Sequence, residues 1–295
     1  MKILVLGSQG QLGSCLSNQL ESSSYQTFYA MRSEIDIADL AETEAKIAEI
    51  APDILINACG YTAVDNAEKE KETAYLINCV AVTNIAKICK DIDCWLIHIS
   101  TDYVFDGCSE FPYTENDKTN PVGVYGDTKL KGELGIKGSG CKYLIIRTAW
   151  LYSEYGNNFL KTMLTLGDVH NELKIVNDQI GCPTYAPDLA KAIVETLPSL
   201  SKGYSSQIYH YAGNSSCSWA EFASTIFEEA VQIKVLTKRP NVIKISSEDY
   251  PTLAKRPMNS RMDSSKFEAA FGVKSSDLVS GIRLSLASLS NSKYQ

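Results

Sequence analysis

The chain has 295 residues, 44% of them hydrophobic, and a formal net charge of −7. That length can bury the core of one domain and of a smaller second one, while the acidic balance and the lack of a basic patch exclude nucleic acid as a partner. No apolar run reaches the roughly 18 residues of a membrane span, and the first strand begins at once, so neither a membrane partner nor a signal peptide is expected. The nine cysteines are scattered without a Cys-x-x-Cys, and three histidines offer no metal spacing. Reduced thiols in a cytoplasm follow, with Cys59, Cys79, Cys89 and Cys94 as core residues.

Lys2–Leu6 is a short apolar run that ends at Gly7, hence a buried strand. Gly7-Ser8-Gln9-Gly10-Gln11-Leu12-Gly13 follows, and Leu12, Cys15, Leu16 and Leu20 then keep helical spacing. Strand, glycine turn and helix in that order make a dinucleotide cradle, because glycines let backbone approach a pyrophosphate and the helix N-terminus faces its charge. Gly7, Gln9, Gly10, Gln11, Leu12 and Gly13 are therefore cofactor candidates. The second strand, Gln26–Met31, leads into Arg32-Ser33, where a fold specific for NAD often carries an acid. Arg32 can hold a 2′-phosphate, which favours NADPH and leaves NADH as the second candidate; a solvated surface arginine is the even alternative. Asp36 and Ile37 flank the expected adenine site. After a helix over 42–50, Ile54–Asn57 is the third strand, and Ala58–Thr62, with Gly60 and Thr62, lies over the cofactor. A long helix over 72–91 carries Asn78 on its apolar face, where it reads as a satisfied core amide or, as the alternative, as a holder of a water near the catalytic pair.

Cys94–Ile99 is the fourth strand, and it delivers Thr101 to the carboxyl end, where open α/β sheets bind ligands. Tyr125 and Lys129 then share one helix face. A phenol ionises near pH 10, and a cation on the same face stabilises its phenolate, so the pair suits proton transfer. The fifth strand is Tyr143–Thr148. Five alternating β-α units predict a Rossmann-type doubly wound parallel sheet over residues 1–150, with later returns at about 172–212. Residues 151–295 would mainly form a smaller C-terminal substrate-binding domain, with helices over 157–166, 188–197 and 219–231 and strands over 173–176 and 207–211.

Taken together, the glycine turn, Thr101, Tyr125-x-x-x-Lys129 and Gly132-Glu133 resemble the extended short-chain dehydrogenases/reductases. Residues 57–65, 100–107, 147–152, 178–184 and 256–260 narrow the resemblance to the dTDP-4-dehydrorhamnose reductase family. It implies NAD(P)H-dependent reduction of the C4 keto group of dTDP-4-dehydro-L-rhamnose to dTDP-L-rhamnose. It also implies that Tyr125 protonates the new C4 oxygen, that Lys129 binds the nicotinamide ribose and that Thr101 aligns the carbonyl. Asp102 and Trp150 would meet the sugar and Arg256 the phosphates. The alternatives are a reductase or epimerase of another nucleotide sugar, or a non-catalytic regulatory subunit on the same scaffold. Some family members join subunits through a metal held by an acid where Cys15 stands here, so no metal is expected, and a homodimer stays a candidate. Gly60 stands where alanine is common in the family.

Overall fold

The computed structural model describes residues 1–200 and 202–292. From the N-terminus, β1 (Lys2–Leu6), α1 (Gln11–Glu21), β2 (Gln26–Ala30), α2 (Leu40–Ile50) and β3 (Ile54–Asn57) alternate as expected. Next, α3 (Val64–Ala67) precedes α4 (Lys71–Tyr75), which passes through a π-helical turn, Leu76–Ala81, into α5 (Val82–Asp91). The first unit closes with β4 (Trp95–Thr101), α6 (Val124–Ser139) and β5 (Lys142–Thr148). Beyond it lie β6 (Leu151–Tyr152), α7 (Phe159–Val169), β7 (Glu172–Val176), β8 (Ile180–Gly181), β9 (Thr184–Tyr185), α8 (Ala186–Leu200) and β10 (Gln207–His210). The chain ends with β11 (Cys217–Ser218), α9 (Trp219–Gln232), β12 (Asn241–Ile245), α10 (Ser265–Phe271) and α11 (Leu278–Ser292).

Six strands form one parallel sheet in the order β2-β1-β3-β4-β5-β10. Period-two alternation splits its side chains between two buried layers. Ile3, Val5, Ile54, Ile56 and Ile97 pack against Leu12 and Leu16 of α1 and Leu189 and Ile193 of α8. Leu4, Leu6, Leu55 and Leu96 pack on the opposite face against Ile47, Ile85 and Ile136 of α2, α5 and α6. Each fully buried aliphatic side chain contributes about 1.5–3 kcal/mol relative to exposure, so both faces need their helices. The strand order reverses between β1 and β3, which opens a crevice at their carboxyl ends.

The stretch expected to return to the first unit divides. α8 and β10 do return, but β7 pairs in parallel with β12, away from the large sheet. A third core, with Tyr152, Leu160, Met163, Phe222, Phe227 and Leu286, holds the C-terminal region together. Ser218 caps α9 through a capping box with Glu221, an arrangement that satisfies otherwise orphaned amides at the helix start. No helix among the described residues is long and apolar enough to cross a membrane.

Candidate active site

The glycine turn sits at the sheet's reversal point. Gly7 has φ +76°, and a Cβ there would lie 3.0 Å from Cys59 Sγ, so the turn abuts the exit of β3. A Cβ on Gly13 would fall 2.0 Å from the Gly7 carbonyl oxygen; only glycine lets α1 come so close to the turn. α1 begins on Gly10 without a side-chain cap. Its first-turn amides are thus available to an anion, and the helix dipole favours one there. Gln9 and Gly10 are exposed, whereas Leu12 is core, so Leu12 can meet a ligand only through its backbone. Gln11 accepts a hydrogen bond from Asn158 Nδ2 (3.1 Å), which brings the C-terminal region over the turn. Arg32 and Asp36 form an ion pair (3.3 Å) at the end of β2, with Arg32 80% exposed. The Ile37 side chain is buried in the core. These residues fit a dinucleotide: an uncapped helix start, a glycine cradle and an exposed cation beside the second strand.

Thr101, Tyr125 and Lys129 converge at the carboxyl end of β4. Lys129 is buried and donates to the Ile99 carbonyl (2.6 Å). Its Nζ lies 3.9 Å from where a Cβ on Gly60 would stand, so that glycine borders the amine; Thr62, two residues on, is exposed. Burial holds the lysine down to about 8, against the opposing pull of Glu133 and Cys59. Tyr125 stands edge-on to Tyr103, with ring centroids 5.5 Å apart. Here the structure departs from the sequence-based expectation: burial pushes the phenol up to about 12, with Asp102 adding to the rise, and only the neighbouring Thr101 hydroxyl pulls it down. The phenol therefore holds its proton at neutral pH, the state required of an acid. Thr101 Oγ1 donates to Asp102 Oδ1 (2.9 Å). Asp102 is buried, its Oδ2 has no hydrogen-bond partner among the described residues, and burial raises its carboxyl to about 6 despite the Ser260 and Thr101 hydroxyls.

Two contacts place α6. A Cβ on Gly132 would meet the Asn78 carbonyl oxygen at 2.2 Å, so this glycine seats the helix against the π-helical turn. Glu68 Oε1 accepts from the Val124 amide (2.8 Å) and caps the helix one residue before Tyr125. Asn78 is the satisfied core amide its position suggested. It accepts from the Tyr61 amide (2.9 Å) and donates to Tyr61 O (3.0 Å) and Thr128 Oγ1 (3.2 Å), tying the loop after β3 to α6.

Trp150, expected to present a flat face to a sugar, has one face stacked on Trp219, at 3.4 Å between centroids. It adopts φ +44°, a left-handed conformation that few non-glycine residues take. Arg256 Nη2 donates to Asp65 Oδ2 (2.7 Å), while its buried Nε has no partner among the described residues. Both residues line a groove of about 510 Å³ with Phe159, Lys174, Trp219 and Tyr250. Tyr103 links this groove to the reacting end, since it feels the charges of Arg256 and Asp65 and touches Tyr125. Neither Trp219 nor Glu68 was legible as a site residue: each belongs to an ordinary helical pattern, and only tertiary packing brings it here.

A parallel doubly wound sheet with a glycine turn at its reversal point, and a Tyr-x-x-x-Lys helix facing a threonine at the end of β4, define a short-chain dehydrogenase/reductase. The sequence matches the family described as RmlD substrate binding domain over residues 1–291. It is 41% identical to dTDP-4-dehydrorhamnose reductase of Aggregatibacter actinomycetemcomitans, over 94% of this chain and 95% of that one. The structure is similar to that of a Bacillus anthracis dTDP-4-dehydrorhamnose reductase solved with NADP (TM-score 0.89, 34% identity, 97% and 99% of the two chains). A Clostridium acetobutylicum dTDP-4-dehydrorhamnose reductase is also similar (TM-score 0.91, 35% identity, 98% and 100%). The chain belongs to the dTDP-4-dehydrorhamnose reductase family.

Proposed function

We propose that the protein is an oxidoreductase that uses NADPH to reduce the C4 keto group of dTDP-4-dehydro-L-rhamnose, yielding dTDP-L-rhamnose. The observation that carries this reading is the convergence of Thr101, Tyr125 and Lys129 beside a glycine cradle in a chain of this family. When bound, the nicotinamide would be the source of the hydride that C4 takes. Gly7, Gly10, the first-turn amides of α1, Arg32, Asp36, Gly60 and Thr62 would hold it, with Lys129 on its nicotinamide side. The Thr101 hydroxyl orients the carbonyl, and the protonated Tyr125 phenol gives its proton to the developing C4 oxygen. The unpartnered Asp102 Oδ2 is a polar contact for the sugar.

Residues 151–295 are the proposed substrate-binding part, with Arg256 and the groove beside it taking the diphosphate and nucleoside, and with Trp150 supporting the pocket through its stack on Trp219. Energy from that remote contact positions C4 and is expressed in turnover as well as in KM. Incubation with NADPH and dTDP-4-dehydro-L-rhamnose should give dTDP-L-rhamnose, while the free 6-deoxy-4-keto hexose should be a very poor substrate. Comparable kcat/KM values for the linked and free sugars would sink the nucleotide-sugar assignment.

Arg32 gives a separate test of cofactor choice. If it pairs with the 2′-phosphate, Arg32→Ala should raise KM for NADPH far more than for NADH. A charge-assisted contact is worth about 1.5–3 kcal/mol, and solvent screening at this exposed site places the effect toward the lower end. Equal changes for the two cofactors would make Arg32 a surface cation only. The nine free cysteines support a reducing cytoplasm as the compartment.

A further inference from the structure

Behind Lys129 lies a buried polar pair that the proposed reaction does not use. His98 of β4 and Asn57 of β3 are both fully buried, paired across neighbouring strands. Asn57 Oδ1 accepts the Cys59 amide (3.0 Å), which fixes the orientation of the side-chain amide. Asn57 Nδ2 therefore points at His98 Nδ1, 3.3 Å away, and donates to it. Burial beside the Lys129 cation keeps His98 neutral, its pKa well below the ordinary value. A neutral imidazole that accepts at Nδ1 carries its proton on Nε2, and Nε2 is the atom 3.3 Å from Lys129 Nζ.

We propose that His98 is a positioning residue for Lys129, locked by Asn57 in the Nε2–H tautomer so that it presents an N–H, rather than a lone pair, to the lysine amine. This rests on the role given to Lys129 above and deepens it. An ammonium that faces an N–H loses one acceptor and gains a repulsive dipole. With one N–H taken by the Ile99 carbonyl, the remaining donors turn toward the mouth of the site, and the amine gives up a proton more readily. The other titratable groups that act on Lys129 are Glu133, one turn further along α6, and the Cys59 thiol from the loop after β3. Both favour the charged form, so the histidine works in the opposite sense to them. Asn57 thereby connects the backbone of the loop over the cofactor site to the protonation of the lysine.

The tautomer can be read directly, because the chain has only three histidines, His98, His170 and His210. In protein labelled with 15N-histidine, without substrate, long-range proton–nitrogen correlation spectra near neutral pH should show His98 as the Nε2–H form. His98→Gln serves to assign its signal. His210 is an internal control of opposite sense, since its Nδ1 faces the Tyr113 carbonyl (3.1 Å) and must carry the proton. Asn57→Asp places an acceptor opposite His98 Nδ1; it should move the proton to Nδ1 and shift the alkaline edge of reductase activity up by about one pH unit. An Nδ1–H form of His98 in the unaltered protein overturns the proposal whatever the substrate proves to be. An Asn57→Asp protein that folds but keeps the Nε2–H form overturns it as well.

Discussion

Tyr125→Phe is expected to lower turnover by about 10²–10⁴, the loss typical when a general acid is removed. The change deletes one oxygen and leaves the ring edge-on to Tyr103, so folding should be unaffected. NADPH affinity, followed by nucleotide fluorescence, should change little, because Lys129 keeps its bond to the Ile99 carbonyl. The phenol lies near 12 in the protein, so activity should not fall through deprotonation of Tyr125 around neutrality. Asp102, at about 6, is largely ionised by neutrality; above it the next site group to change charge is Lys129, near 8, and the alkaline limb of the rate should reflect it. Near-normal turnover in Tyr125→Phe would remove the tyrosine from its role.

Arg147→Met is expected to destabilise the fold by about 3–5 kcal/mol, because it strands a carboxylate in the interior. Arg147 of β5 grips Glu133 of α6 with two bonds, Nε to Oε1 (2.9 Å) and Nη2 to Oε2 (2.7 Å), and both side chains are almost wholly buried. Ser100 Oγ also donates to Glu133 (2.5 Å), while Arg147 lies over the Phe105 ring and approaches His210 of β10. The pair therefore joins the catalytic helix to three strands. Urea unfolding should show the loss in the midpoint. The double variant Glu133→Leu/Arg147→Met should recover much of it, since an apolar replacement removes the stranded charge. A single-variant loss below about 1 kcal/mol would mean that water reaches the carboxylate, which is the behaviour of an exposed pair.

Local pattern carries the first unit. β1 to β5 are short apolar runs separated by helical periodicity, and Thr101, Tyr125 and Lys129 follow from where a strand stops and how a helix repeats. Pairing is harder to read. Leu173–Val176 looks like any strand of the large sheet, yet its partner is β12, beyond α9. The long helix after β3 contains a π-helical turn that no residue type announces. The Tyr-x-x-x-Lys spacing reveals a neighbouring cation but not the depth of burial, which dominates the phenol's proton affinity here. Trp150 was legible as an aromatic at the site's edge, but not its stack on Trp219, a residue at the start of a distant helix.

The sixth strand of the large sheet has a consequence for synthesis. β10 and the helix before it, α8, are translated well after β5, yet they cover the edge of β5 and the outer face of α1. At about 5–20 residues per second, the nascent chain carries an unpaired strand edge and an uncovered apolar layer for a time on the order of seconds. Edges of that kind recruit other chains. A ribosome that stalls between β5 and β10 should thus release a product held soluble by chaperones, and slow codons in that interval should lower yield more than slow codons after β10.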